Sequence, residues 1–334
     1  MQIRRKQIDN KYYQKNDGMF WLPNDGDNSY IWRYRGNPLF EMSKMENFWH
    51  ICNSAAVIVN GEYVGVFRCE DKMGKPDLYV GKSKDGIHWD LENEPIIFYE
   101  KDGSVFEKLF CYDPRLIKIE DVYYVVFCAD VDGPSIYIAK TQDFKYFEKI
   151  PTGFLPFNRN GVLFPEKFNG QYVMLNRPSD DGNTPFGNIY ISYSNDLVYW
   201  GNHKLLMRNF HLGNNFWEKV KIGAGPTPIK TDEGWLLIYH GVQSTCNGLT
   251  YSMGVALLDL EDPSKVKYRT TRYLLAPEEL YETTGFTTNV IFPCSAIVDS
   301  KGHITIYYGV ADTNMAIAFT TVEKLLAFVK KYSK

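Results

Sequence analysis

The chain has 334 residues, with 40 Asp and Glu against 37 Lys and Arg, and 44% of its residues are hydrophobic. A formal charge of −3 gives no field to draw in nucleic acid or an anionic bilayer, and the composition is that of a globular protein with a sizeable core. No run is long and apolar enough to read as a bilayer span.

The aromatic share of 16% (24 Tyr, 21 Phe, 7 Trp) favours strands and sugar-stacking surfaces over helices. No signal peptide is readable at the basic segment Met1–Gln7, and the six cysteines show no CxxC spacing. Free thiols in a reducing cytoplasm explain them better than disulfides or zinc. No His and carboxylate set has metal spacing and no Walker loop or dinucleotide fingerprint is present, so no metal or cofactor is expected.

In chain order, residues 1–40 are polar and turn-rich, an N-terminal extension expected to wrap the first repeat or a neighbouring subunit. Five segments then share one plan, a turn followed by an alternating aromatic and aliphatic strand and a second strand. They begin near Gly61, Asp121, Gly170, Glu233 and Gly302. Three close with one tail, Ser83-Lys84-Asp85…Trp89, Thr141-Gln142-Asp143…Phe147 and Ser194-Asn195-Asp196…Trp200, a polar turn followed by an aromatic anchor. Repeats of about 50–60 residues with several short strands each read as propeller blades. The fold expected is all-β, one five-bladed β-propeller over 1–334. A β-sandwich, the alternative, would not repeat a strand pair with the same tail. Residues 322–331 place Val322, Leu325, Leu326 and Val329 on one helical face, which suits packing on the propeller's outside or at a subunit contact better than a membrane surface.

Strand ends at one mouth of a propeller channel carry its chemistry. Asn53-Ser54, Arg68-Cys69-Glu70-Asp71, Asp113, Asn176-Arg177-Pro178, Tyr239-His240-Gly241 and Ala311-Asp312-Thr313 occupy comparable places in or just before their repeats. Asp113 lies just ahead of a β-patterned run, where Pro114 biases it away from helical geometry. Taken alone, it reads equally as a turn cap. Arg159, Arg177, Lys221, His240 and Tyr251 form a second, cationic and aromatic group, suited to an oxyanion or phosphate. Individually, each has a commoner structural reading: a surface ion pair for an arginine, a hydrogen-bonded core residue for His240.

Together, Tyr112-Asp113-Pro114-Arg115, Phe157–Pro165, Asn176-Arg177-Pro178, Lys221–Pro226, Trp235–Gly241 and Tyr307–Thr313 resemble glycoside hydrolase family 130. That family comprises β-mannoside phosphorylases with a minority of β-mannosidases, and the resemblance runs from about Asn53 to Thr313. The ends of the chain are similar to the subgroup acting on β-1,4-mannosyl-N-acetylglucosamine and β-1,4-mannooligosaccharides. The resemblance implies Asp113 as the catalytic acid. It implies Arg159, Arg177, Lys221, His240 and Tyr251 as phosphate contacts, and Asn53, Ser54, Arg68, Tyr112 and Asp312 as sugar contacts. Lys221 is open to a sugar contact as well. Inverting hydrolysis needs two carboxylates, whereas phosphate is already an anionic nucleophile and needs cations in place of a base. One acid plus a basic cluster fits phosphorolysis, with a β-mannoside and inorganic phosphate as partners and a homo-oligomer as the assembly. Hydrolysis and mere carbohydrate binding remain the alternatives, and the acceptor sugar stays open among N-acetylglucosamine, mannose and glucose.

Overall fold

The computed structural model describes residues 19–24, 29–179, 187–209 and 216–333. Residues 1–18 and 25–28 of the expected N-terminal extension lie outside the described residues.

Five sheets, antiparallel but for one edge strand, follow one another along the chain. The first blade comprises Phe48–Val59, Glu62–Asp71, Pro76–Ser83 and Asp90–Leu91. The second runs Phe110–Ile119, Val122–Asp130, Pro134–Thr141 and Phe147–Ile150, with Phe98–Tyr99 added in parallel at its outer edge. The third holds Asn158–Leu163, Tyr172–Pro178, Ile189–Ser194 and Gly201–Met207. In the fourth, Lys221–Ala224 and Ile229–Thr231 both pair with Gly234–Thr245, followed by Gly248–Leu258 and Val266–Arg269. The fifth is Ile291–Val298, His303–Val310 and Asn314–Thr321, closed by Trp32–Arg33.

The β-patterned runs are apolar on both faces because each blade is sandwiched between two others. In the second blade, Val125 and Phe127 face the first blade's Val64, Val66 and Leu78. Their neighbours Tyr124 and Val126 face the third blade's Leu163 and Met174. In the fourth blade, Trp235 and Leu237 join the third blade's core, while Leu236 and Ile238 join the fifth's. Successive side chains of a strand point to opposite faces, so one alternating strand feeds two cores. Five such inter-blade cores make the ring.

The recurrent sequence segments are the second and third strands of each blade, and the innermost strand is the one preceding each of them. The repeated tails form one Asx/ST turn. Ser83 Oγ accepts from Gly86 N while Asp85 Oδ1 accepts from Ile87 N and His88 N, and Ser194/Asp196 repeat the pattern.

The described part of the N-terminal extension takes its strand pairing in the last blade, not the first. Trp32 and Arg33 pair with Phe319 and Ala318, and Phe20, Tyr34 and Phe40 fill the core between the fifth and first blades. Arg33 forks onto Glu282, with Nε to Oε1 at 2.7 Å and Nη2 to Oε2 at 2.9 Å. The C-terminal helix, Val322–Tyr332, is capped by Thr321, whose side chain accepts from Lys324 N. Leu325, Phe328 and Val329 bury against the fourth and fifth blades, so its apolar face is covered by the propeller itself.

Candidate active site

Antiparallel pairing sets the start of each innermost strand opposite the end of the next. Cys52 thereby faces Arg68, Arg159 faces Arg177, and Gly223 faces His240. Two separated sequence motifs meet at each such pair.

The innermost strands break register at this same end. Shifts fall between Cys52 and Ala55, Tyr112 and Arg115, Arg159 and Val162, and Pro293 and Ser295. In the fourth blade, Gly225-Pro226 lies between the two short strands that share one partner. At three of the bulges one residue takes left-handed geometry: Asn53 (φ 47°), Asp113 (φ 52°) and Asn160 (φ 53°). Asn and Asp tolerate that geometry better than other side chains, and a bulge re-aims the side chain it carries. Asp113 is thus inside the innermost strand of the second blade, at its bulge, rather than just ahead of the strand as its proline context suggests. Ala311 and Asp312 are also left-handed, in the turn after His303–Val310.

Around Asp113 the side chains form one connected lobe. Asn53 Nδ2 donates to Asp113 Oδ1 at 2.9 Å, and Arg68 Nη1 donates to the same oxygen at 3.2 Å. Asp312 Oδ1 lies 3.5 Å from Asn53 Nδ2 and 3.9 Å from Arg68 Nη1. Arg68 Nη2 is held at 2.6 Å by Glu70, whose other oxygen lies 3.1 Å from His50 Nδ1. Glu70 stands within a polar strand end singled out by sequence, and the structure adds His50 behind it.

A second lobe is cationic. Arg177 Nη1 lies 3.1 Å from His240 Nε2, with both side chains buried. A guanidinium has only donors, so Nε2 accepts and the imidazole proton sits on Nδ1. Burial, then the charges of Arg177, Arg115 and Lys221, hold the His240 pKa well below its ordinary value. Lys221 Nζ stands 5.5 Å from the centre of the Tyr251 ring, and burial with Arg177 and Arg159 pushes its pKa down to about 8. Burial raises the Tyr251 phenol to about 12, keeping it a donor at neutral pH. Glycine permits this crowding: a Cβ on Gly223 would lie 2.5 Å from His240 Cε1 and 3.0 Å from Arg177 Nη1. Tyr112 joins the lobes. It neighbours Asp113, and its hydroxyl accepts from Arg159 Nε at 3.2 Å.

Ten of the eleven sequence candidates fall in these two lobes. Ser54 does not present a free group to them. It is fully buried, and its hydroxyl donates to the Cys52 carbonyl at 3.0 Å. His240 is also fully buried, beneath Arg177 rather than at the open surface. Sequence reasoning missed Arg115, whose guanidinium lies under the Asp113 bulge. Its signal is a charged residue just after Asp113-Pro114, at the head of the β-patterned run Leu116-Ile117-Lys118-Ile119. Among the described residues no three His, Cys, Asp or Glu side chains converge as metal ligands.

A five-bladed propeller with carboxylates and cations gathered at one end of its innermost strands has the layout of a propeller enzyme, and its relatives place it among those that process carbohydrates. A family model described as beta-1,4-mannooligosaccharide phosphorylase matches residues 31–331. The chain belongs to that family, glycoside hydrolase family 130. It is 48% identical over 311 residues to a beta-1,4-mannooligosaccharide phosphorylase of Ruminococcus albus, covering 91% of this chain and 92% of the relative. It is 30% identical to a 4-O-beta-D-mannosyl-D-glucose phosphorylase of Bacteroides fragilis, covering 89% and 80%. Among solved structures, the beta-1,2-mannobiose phosphorylase of Listeria innocua in complex with beta-1,2-mannobiose superposes with a TM-score of 0.77 at 29% identity. That match covers 90% of this chain and 99% of the other.

Proposed function

We propose that the protein catalyses inverting phosphorolysis of β-1,4-linked mannosides, releasing α-mannose 1-phosphate and the shortened sugar. The observation that carries this reading is the gathering, at one end of the innermost strands, of Asp113 with the buried Arg177 and the half-buried Lys221 and Arg159. The similarity to a β-1,4-mannooligosaccharide phosphorylase along nearly the whole chain favours the β-1,4 linkage.

In this reading the mannosyl ring sits against Asn53, Arg68, Tyr112 and Asp312. Asp113 supplies the proton to the glycosidic oxygen, relayed through a hydroxyl of the mannosyl ring, as the bond from that oxygen to the anomeric carbon breaks. A phosphate oxygen forms the new bond from the opposite face, held by Arg159, Arg177, Lys221 and Tyr251. His240 supports Arg177 from behind. Cations aligned on the nucleophile replace the second carboxylate that activates water in inverting hydrolases. The reaction needs no cofactor beyond inorganic phosphate. Five of the six cysteines are buried free thiols, which suits a reducing, cytoplasmic setting.

Incubation with β-1,4-mannobiose and with mannosyl-N-acetylglucosamine, with and without phosphate, tests the proposal. Mannose 1-phosphate forming only with phosphate is the expected result. Free mannose at the same rate in phosphate-free buffer would make the protein a β-mannosidase and overturn it.

A further inference from the structure

Arg115 has no role in the reading above, yet its guanidinium touches three blades. The residue is 1% exposed. Nε donates to the Gly225 carbonyl at 2.6 Å, and Nη1 donates to the carbonyls of Asp113 at 3.3 Å and Pro114 at 3.1 Å. Gly225 belongs to the fourth blade, directly after the strand that begins at Lys221. Phe292 of the fifth blade lies 5.3 Å from the guanidinium carbon.

Two features make this placement costly unless it serves something. Among the described residues no carboxylate pairs with Arg115, and its Nη2 is buried without a partner. Burying a charge on carbonyl dipoles and one aromatic ring, with no carboxylate, is expensive. The bulge it holds is itself strained. Asp113 takes φ 52° immediately before a proline, a combination that sterics disfavour, and the register shift removes the bulge from the regular ladder. An arginine presents several donors in one rigid plane, so it holds the bulge and the facing turn in fixed directions that a lysine's rotatable ammonium does not impose.

We propose that Arg115 is a positioning residue that clamps the Asp113 bulge to the Gly225 turn and so sets the acid's place relative to the phosphate-holding lobe. The proposal rests on the phosphorylase reading for its choice of substrates. Arg115→Lys keeps the charge and removes the directed donors.

The test compares β-1,4-mannobiose with 2,4-dinitrophenyl β-mannoside in phosphate buffer, because the dinitrophenolate leaves without a proton and has little need of the acid. Arg115→Lys is expected to melt near the wild type and to lose about 30-fold or more in kcat on mannobiose, within the range general-acid catalysis contributes. On the dinitrophenyl substrate its loss should stay under about 3-fold, since proton donation is no longer limiting. Equal losses on the two substrates, or no loss on either, would overturn the proposal, because a merely structural role lowers both alike. Phe292→Leu keeps the guanidinium and removes its ring support. It should show the same substrate contrast at smaller amplitude, and it decides the matter if Arg115→Lys does not fold. A wild type that released mannose without phosphate would sink the phosphorylase reading, while the substrate contrast would still test Arg115.

Discussion

Arg177 Nη1 and His240 Nε2 are 3.1 Å apart, and the imidazole is the acceptor of that bond. With its pKa held well below the ordinary histidine value, His240 stays neutral throughout the working pH range and keeps Arg177 oriented. His240→Phe should leave a buried guanidinium donor unpaired and raise KM for phosphate by about tenfold or more, from the cost of an unsatisfied charged donor. His240→Gln, which can still accept, should recover much of that loss. Neither variant should move the acidic limb of the pH–rate profile. Steady-state kinetics with varied phosphate checks all three outcomes, and a limb near pH 6.5 that vanishes in His240→Gln would show a charged histidine instead.

Asp113 accepts from both Asn53 and Arg68, and no second carboxylate is needed for an anionic nucleophile. Asp113→Asn should therefore lower kcat on mannobiose by about 10²–10⁴-fold, the usual contribution of a general acid. Thermal stability and phosphate binding should be retained. Calorimetric phosphate titration beside initial rates makes the check, and an Asn variant within a few-fold of wild-type turnover would remove Asp113 from the acid's role.

Much of this was legible in the sequence. Alternation, the Ser/Thr-x-Asp tails and the recurring strand pairs point to five blades, and the five sheets follow. The polar strand ends named the two lobes because antiparallel pairing must bring the start of one strand to the end of the next, as at Arg159 and Arg177. What pattern reading could not give was long-range closure and local irregularity. Trp32 and Arg33 join the last blade through residues nearly 300 positions away, a contact with no local signature. The bulge at Asp113 depends on two carbonyls being held by a side chain, so alternation alone places the residue outside the strand. Ser54 read as a sugar contact from the polar strand end Asn53-Ser54 and the family resemblance, yet its hydroxyl turns back onto the Cys52 carbonyl while Asn53 donates to Asp113.

Lys221 is expected to set the enzyme's alkaline limit. Burial and the neighbouring arginines push its pKa down to about 8, so in the free enzyme its charge is lost as pH rises through that value. The phosphate-holding lobe then loses a cation, and kcat/KM for phosphate should fall with a midpoint near pH 8. Lys221→Arg should carry that limb to higher pH. Stability moves the other way. Between about pH 8 and the ordinary lysine value the unfolded chain holds a proton that the folded chain has lost. Phosphate-free enzyme should therefore gain stability with pH across that window. Melting curves with and without phosphate should show the largest phosphate stabilisation below pH 8, where the lysine is charged.

Two glycines separate the lobes experimentally. A Cβ on Gly223 would crowd His240 and Arg177, at 2.5 Å and 3.0 Å, whereas a Cβ on Gly309 would fall 1.8 Å from Asn53 Oδ1. Each alanine costs about 1–3 kcal/mol of stability as overpacking. Their kinetic effects should differ in kind. Gly223→Ala displaces the phosphate-side pair and should chiefly raise KM for phosphate. Gly309→Ala displaces the amide that holds Asp113 and should chiefly lower kcat, leaving KM for phosphate within about twofold because only interactions specific to the transition state are lost. If both alanines raised KM for phosphate and lowered kcat in the same proportion, the acid and the anion site would not be separable units. The Tyr112–Arg159 bond, which links the lobes at 3.2 Å, would then have to be read as coupling them into one.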